Sequence, residues 1–208
     1  MTKRDFRDKN VKMYMSYQVK NYDRLLGATG LSEQLLKNHF TLYQGYVTNT
    51  NKLSDTLAAM LEDGNTGTPE YAELKRRFGW EWNGMRLHEY YFDNMVKGGK
   101  SLNADSPLSK KLVEEFGSLE NWEKDFKATG ALRGIGWTAL YLDTTSKRVF
   151  NTWINEHDAG HLSGCTPLLI MDVFEHAFMI DYGLKRAGYI DAFFKNIDWT
   201  VVSSRFTG

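Results

Sequence analysis

The 208-residue sequence predicts an α+β protein: a long antiparallel helical hairpin first, then a mixed half with a roughly three-stranded antiparallel sheet and helices. Three observations predict it. Apolar residues recur at three-to-four spacing through "GLSEQLLKNHFTLYQGYVTNTNKLSDTLAAMLED". A short Gly- and Pro-bearing turn, "GNTGTPE", then leads into a second helical run. Beyond residue 135 the pattern turns to short runs of strand character separated by polar turns.

Residues 1–30 are polar and aromatic, without a firm period. Ser32 is a good N-cap for the first helix, whose apolar positions are Leu35, Leu36, Phe40, Tyr43 and Val47. Pro69 opens the second helix, which is expected to run to the "KGGK" stop at 97–100, with Gly79 and Gly84 weakening its middle. The small, polar stretch "SLNADSP" marks the boundary between a helical hairpin domain, 1–102, and an α/β domain, 103–208. Two short amphipathic helices are expected over "SPLSKKLVEEFGSLENWEKDFKATGAL", then a β-hairpin over "GWTALYLDTTSKRVFNTWI". "CTPLLIMDVF" has the length of a buried strand, and the chain ends in helical patterning.

Lys plus Arg equals Asp plus Glu, at 26 each, which argues against a polybasic nucleic-acid or membrane surface. Cys165 is the only cysteine, so neither an internal disulfide nor a thiolate-built metal site is available. The first residues lack the apolar run of a signal peptide, and no segment has the length of a membrane span. The expectation is a soluble, cytoplasmic protein with no nucleic-acid or membrane partner.

Chemistry gathers around the five histidines. His39 and Tyr46 are seven positions apart, within about 20° of two full helical turns, so they share a face. His88 lies near the end of the second helix among Leu87, Tyr90, Tyr91 and Phe92, whereas Glu89 is expected to face solvent. Either histidine alone reads equally as a satisfied core residue. Asp172 ends an apolar run, where an unpaired carboxylate would be costly, and His176 follows four residues later. Together the four make a His₃Asp set suited to Mn, Fe or Zn. "EHDAGH", at 156–161, places His157 and His161 near this group.

"HFTLYQGYVTNTNKL", "FGSLENWEKDF", "GIGWTALYLD" and "TPLLIMDVFEHAFMIDYGLKRAGYIDAFFKNIDW", in that order, resemble the iron/manganese superoxide dismutases from about residue 31 to the end. The resemblance implies disproportionation of superoxide to dioxygen and hydrogen peroxide by one redox-cycling Fe or Mn ion per subunit. It implies His39, His88, Asp172 and His176 as metal ligands, between the two domains. It also implies a homodimer in which Glu175 reaches the partner's ligand histidine, His176, and a pocket containing Trp137, with Phe92 and Phe174 where tryptophans are common. Arg186 resembles an arginine near the substrate funnel, its plainer reading being a hydrated helix-end cation. Two other readings of the same ligands are a mononuclear non-haem iron enzyme and a metal-binding relative without turnover.

The chain departs from the family pattern in three places. The family usually has one more residue between ligand histidine and active-site tyrosine, which a π-bulge absorbs; with seven steps the helix is expected to be regular and Tyr46 to be the phenol. Gly84 stands where iron enzymes often carry a glutamine, and the manganese enzymes' alternative glutamine position falls on His157. An imidazole there is expected to tune the metal's solvent and redox behaviour. Finally, the gateway histidine and tyrosine positions hold Leu42 or Tyr43 and Met179, and His161 has no assigned role.

Overall fold

A computed structural model describes residues 16–207. The stretch 1–15, on which most of the signal-peptide argument rests, lies outside the described residues.

Helix α1 (Glu33–Glu62) starts where Ser32 caps it, the Ser32 hydroxyl accepting from the Leu35 N–H at 3.1 Å. It runs as unbroken α-helix for 30 residues, about 45 Å at 1.5 Å per residue, with no widened turn between His39 and Tyr46. The five predicted apolar positions, Leu35, Leu36, Phe40, Tyr43 and Val47, are all buried. Thr68 caps α2 (Pro69–Asp93), and Pro69 occupies its first turn.

Two expectations for α2 are corrected. Gly79 and Gly84 do not interrupt it, and at Gly84 the missing side chain makes room for the Tyr46 ring. It also stops at Asp93, short of 97–100, because Asn94 turns inward. The Asn94 side-chain amide donates to the Ile170 carbonyl at 2.7 Å, and its own carbonyl accepts from the Asp198 N–H at 2.6 Å. The following Met95 then pairs with Ile197.

Two short helices follow, α3 (Pro107–Phe116) and α4 (Leu119–Gly130). Strands β1 (Gly136–Asp143), β2 (Val149–Asn155) and β3 (Cys165–Asp172) form an antiparallel sheet in the order β2-β1-β3. Central β1 is buried from Gly136 to Leu142. Outer strand β3 carries Pro167 beside a register shift, as an edge strand allows. Helices α5 (Met179–Tyr182), α6 (Arg186–Phe194) and α7 (Trp199–Ser204) complete the chain. The α2 helix packs on β3 and α1 on the turn just after it, so both long helices meet the end of β3.

Candidate metal centre

That meeting point holds four polar side chains in an otherwise apolar core. His39 projects from α1, His88 from α2, Asp172 ends β3, and His176 lies in a single 3₁₀ turn, Glu175–Ala177. Asp172 ends its strand itself: its Oδ1 accepts from the Phe174 N–H at 2.8 Å, bending the chain so that His176 returns toward it. The other carboxylate oxygen, Oδ2, lies 3.1 Å from His39 Nε2, 3.1 Å from His176 Nε2 and 3.7 Å from His88 Nε2. One potential ligand atom from each of the four residues lies within 4.8 Å of the other three.

The protonation pattern suits a metal. His88 Nδ1–H donates to the Gly84 carbonyl at 2.6 Å, which leaves Nε2 as the bare nitrogen. That Nε2 is buried, points at the cluster and has no hydrogen-bond partner. Burial pushes the pKa of His39 down and that of His88 further, so both imidazoles are neutral. Burial opposes charge on Asp172 as well, yet adjacent His176 and His39 hold its carboxyl far below the usual carboxylate range. Three imidazoles around one carboxylate, with the orphaned His88 nitrogen aimed between them, fit one Fe or Mn ion. Behind the site, the Tyr189 hydroxyl donates to the Asp172 carbonyl at 2.6 Å and lies 3.1 Å from the Tyr91 hydroxyl, fixing the strand end.

Beside the cluster lies a second group. The Tyr46 ring stacks on His88, with centroids 5.1 Å apart, and its hydroxyl is 2.8 Å from His157 Nε2. Trp137 Nε1–H donates to His157 Nδ1 at 3.0 Å. Indole nitrogen only donates, so Nδ1 must accept and Nε2 must carry the proton toward Tyr46. Burial lowers the His157 pKa to about 4, keeping this neutral form at ordinary pH. Burial and the Asp172 charge raise the Tyr46 pKa, so the phenol keeps its proton. Phe174 stacks on both His157 (4.9 Å) and His176 (5.3 Å), joining the two groups through an apolar wall. Phe92 packs against His39 at 5.0 Å.

Glu175 stands apart from this network, exposed beside His176. Glu89, expected in solvent, is buried instead: it accepts from Tyr43 at 3.1 Å and from Arg86 at 2.5 Å, which neutralises it. Arg186 is no hydrated helix-end cation, since its guanidinium donates to the carbonyls of Leu132 (2.7 Å) and Gly134 (2.9 Å), on the segment leading to Trp137. Trp80 went unnoticed in the sequence, although its ring covers His157 at 4.5 Å and Tyr46 at 5.6 Å. The i, i+4 series Trp80–Gly84–His88 on one helix face was the signal that could have found it.

Residues 104–205 match the family described as iron/manganese superoxide dismutases, C-terminal domain. The chain is 37% identical over 194 residues to the superoxide dismutase (Fe) of Aquifex aeolicus, covering 91% of this chain and 90% of that protein. It is 38% identical over 182 residues to the superoxide dismutase (Fe) of Aquifex pyrophilus, covering 85% and 84%. With superoxide dismutase (Mn) 2 of Haloferax volcanii the identity is 34% over 197 residues, covering 92% and 96%. On its fold, its four-residue cluster and these similarities, the chain belongs to the iron/manganese superoxide dismutases.

Proposed function

We propose that this chain is a superoxide dismutase, with His39, His88, Asp172 and His176 holding one Fe or Mn ion. The observation that carries the reading is the buried, unpartnered His88 Nε2, aimed at a carboxylate and two further imidazoles. When bound, the ion supplies one-electron oxidation of one superoxide and one-electron reduction of the next. One carboxylate cannot neutralise a divalent or trivalent ion, so the centre attracts a small anion.

The chain's own residues supply what the second half-reaction needs, which is protons. Tyr46 keeps its phenolic proton beside His88, and His157 donates to the Tyr46 oxygen, leaving the phenolic O–H free to turn toward the cluster. Both His157 nitrogens are engaged, by Trp137 and Tyr46, so His157 acts through the phenol. Trp137, Phe174 and Trp80 keep bulk water from this side. The third histidine separates this site from a two-histidine, one-carboxylate oxygenase centre.

The site draws two ligands from residues 1–102 and two from 103–208, which supports a two-domain organisation with the metal between the domains. Glu175 is exposed next to His176, and Met179 and Ile180, which soon follow, are 42% and 53% exposed. These features support a homodimer in which Glu175 accepts the distal N–H of the partner's ligand histidine. The absence of a second cysteine suits a reducing compartment, in keeping with a cytoplasmic protein.

The test is superoxide decay after loading with Mn, Fe or Zn. Rapid decay with Mn or Fe and none with Zn, which cannot change oxidation state, is expected. Binding without turnover for all three would identify a metal-binding relative instead. Sedimentation of wild-type and Glu175→Ala protein tests the dimer, the variant being expected to dissociate more readily.

A further inference from the structure

His157 sits in an unusual place for a buried imidazole. It is the middle residue of a three-residue loop, Glu156–His157–Asp158, closed by paired hydrogen bonds between Asn155 and Ala159. Both loop neighbours are exposed, while His157 is fully buried. Glu156 adopts φ +49°, a left-handed conformation that costs energy for a side-chain-bearing residue. Something must therefore hold the loop in this shape.

His161 supplies a tie from the backbone side. Its Nε2 lies 2.9 Å from the His157 carbonyl, an atom that can only accept, so His161 Nε2 carries a proton and donates it there. Its Nδ1 lies 3.0 Å from the Tyr141 hydroxyl, which donates to it when the ring carries its single proton on Nε2. Tyr141 is buried on central strand β1, the same strand that carries Trp137. The two tyrosine-derived and tryptophan-derived ties thus run from one rigid strand to the two ends of His157: Trp137 holds the ring, while Tyr141, through His161, holds the carbonyl. Gly160 lets the chain turn between them at φ +101°, where a Cβ would meet the Trp153 carbonyl oxygen at 2.5 Å.

We propose that His161, oriented by Tyr141, is a positioning residue that fixes the backbone of His157 and thereby keeps His157 Nε2–H on the Tyr46 oxygen. Tyr141, His161, His157 and Tyr46 form one chain of contacts from the sheet to the helical hairpin, and the second histidine of "EHDAGH" serves the first. The inference rests on the reading of His157 and Tyr46 as working groups of a dismutase centre.

The test uses the full chain with zinc, which is diamagnetic, and ¹⁵N-labelled histidine, so that the ring nitrogens of His157 are read directly by NMR. Wild type is expected to show separate shifts for a protonated Nε2 and a bare Nδ1. In His161→Ala the separation should shrink as the freed loop lets the ring leave Trp137 and Tyr46 and sample both tautomers, and superoxide consumption by Mn- or Fe-loaded protein should fall on the order of tenfold. His161→Gln, whose amide can both donate and accept, should restore both readouts. Tyr141→Phe removes one hydroxyl from a buried site and should move both in the same direction, less far; it decides the matter if His161→Ala does not fold. A His157 separation unchanged in both variants, or lost and not restored by His161→Gln, overturns the proposal. Wild-type protein with the expected His157 signals but no turnover with either Mn or Fe would instead overturn the dismutase reading alone.

Discussion

The Nε2 atom of His157 lies 2.8 Å from the Tyr46 hydroxyl oxygen, joining a loop and a helix that are 111 positions apart in the chain. Because Trp137 donates to the other ring nitrogen, the direction of this bond is set: imidazole gives, phenol receives. The phenolic O–H of Tyr46 is therefore not the donor in this bond and stays free for another partner. The residue expected from the sequence to tune the metal's solvent thus has both ring nitrogens engaged, one by Trp137 and one by Tyr46.

Replacing His157 tests that role. In His157→Gln the amide can still accept from Trp137 and donate to Tyr46, but its geometry and reach differ from those of imidazole. The ratio of Mn-supported to Fe-supported activity is expected to change severalfold, on the order of one hydrogen bond's ~1 kcal/mol. Superoxide decay measured with each metal gives this ratio, and an unchanged ratio would remove His157 from the tuning of the centre.

Gly84 makes a prediction whose sign is opposite to ordinary helix behaviour. A glycine-to-alanine change inside a helix normally stabilises by about 1 kcal/mol. Here an added Cβ would come within 2.5 Å of Tyr46 Cδ1 and 2.7 Å of Cε1. Overpacking of this kind costs about 1–3 kcal/mol, so Gly84→Ala should be neutral to destabilised by about 2 kcal/mol. Activity should fall as the Tyr46 ring is displaced from His157. Denaturant unfolding checks this, and a variant more stable than wild type would contradict the packing described.

The pH dependence of stability has one well-placed contributor in Asp198, which caps α7 by accepting from Thr200 N–H at 3.1 Å and pairs with Lys100 at 2.8 Å. Burial resists its ionisation, but the Lys100 ammonium and the capping N–H groups outweigh it and bring its pKa below 3.8. A depressed carboxylate stabilises the fold above its unfolded pKa and loses that contribution as pH falls through the folded one. Asp198→Asn keeps a capping side chain while removing the charge. The stability gap between wild type and this variant, measured by denaturant titration, should be widest near neutrality and close as pH falls below the unfolded carboxylate pKa of about 4. A gap that widens on acidification would contradict the assignment.

Much of this site was legible in the sequence, for physical reasons that also mark the limits. The seven-step spacing placed His39 and Tyr46 on one face because an uninterrupted helix has a fixed period, and α1 is uninterrupted. Asp172 stood out because a carboxylate closing the run "LLIM" demands partners. The end of α2 was not legible, since it depends on Asn94 reaching Ile170 and Asp198, contacts that no local pattern encodes. Glu89 was misread for the same reason: next to His88 on a helix it looked solvent-facing, but Tyr43 and Arg86 compensate its burial. The tie from His161 to the His157 carbonyl needs the three-residue loop to exist first, so spacing alone left His161 without a role.

Metal content and superoxide decay, measured together on wild-type and Asp172→Ala protein loaded with Mn or Fe, bear on the central claim most directly. The account predicts a single ion per wild-type chain with rapid superoxide decay, and loss of both in the variant, whose three histidines no longer face a carboxylate. A variant that retains the ion and consumes superoxide at the wild-type rate would place the chemistry somewhere other than the His39, His88, Asp172 and His176 cluster.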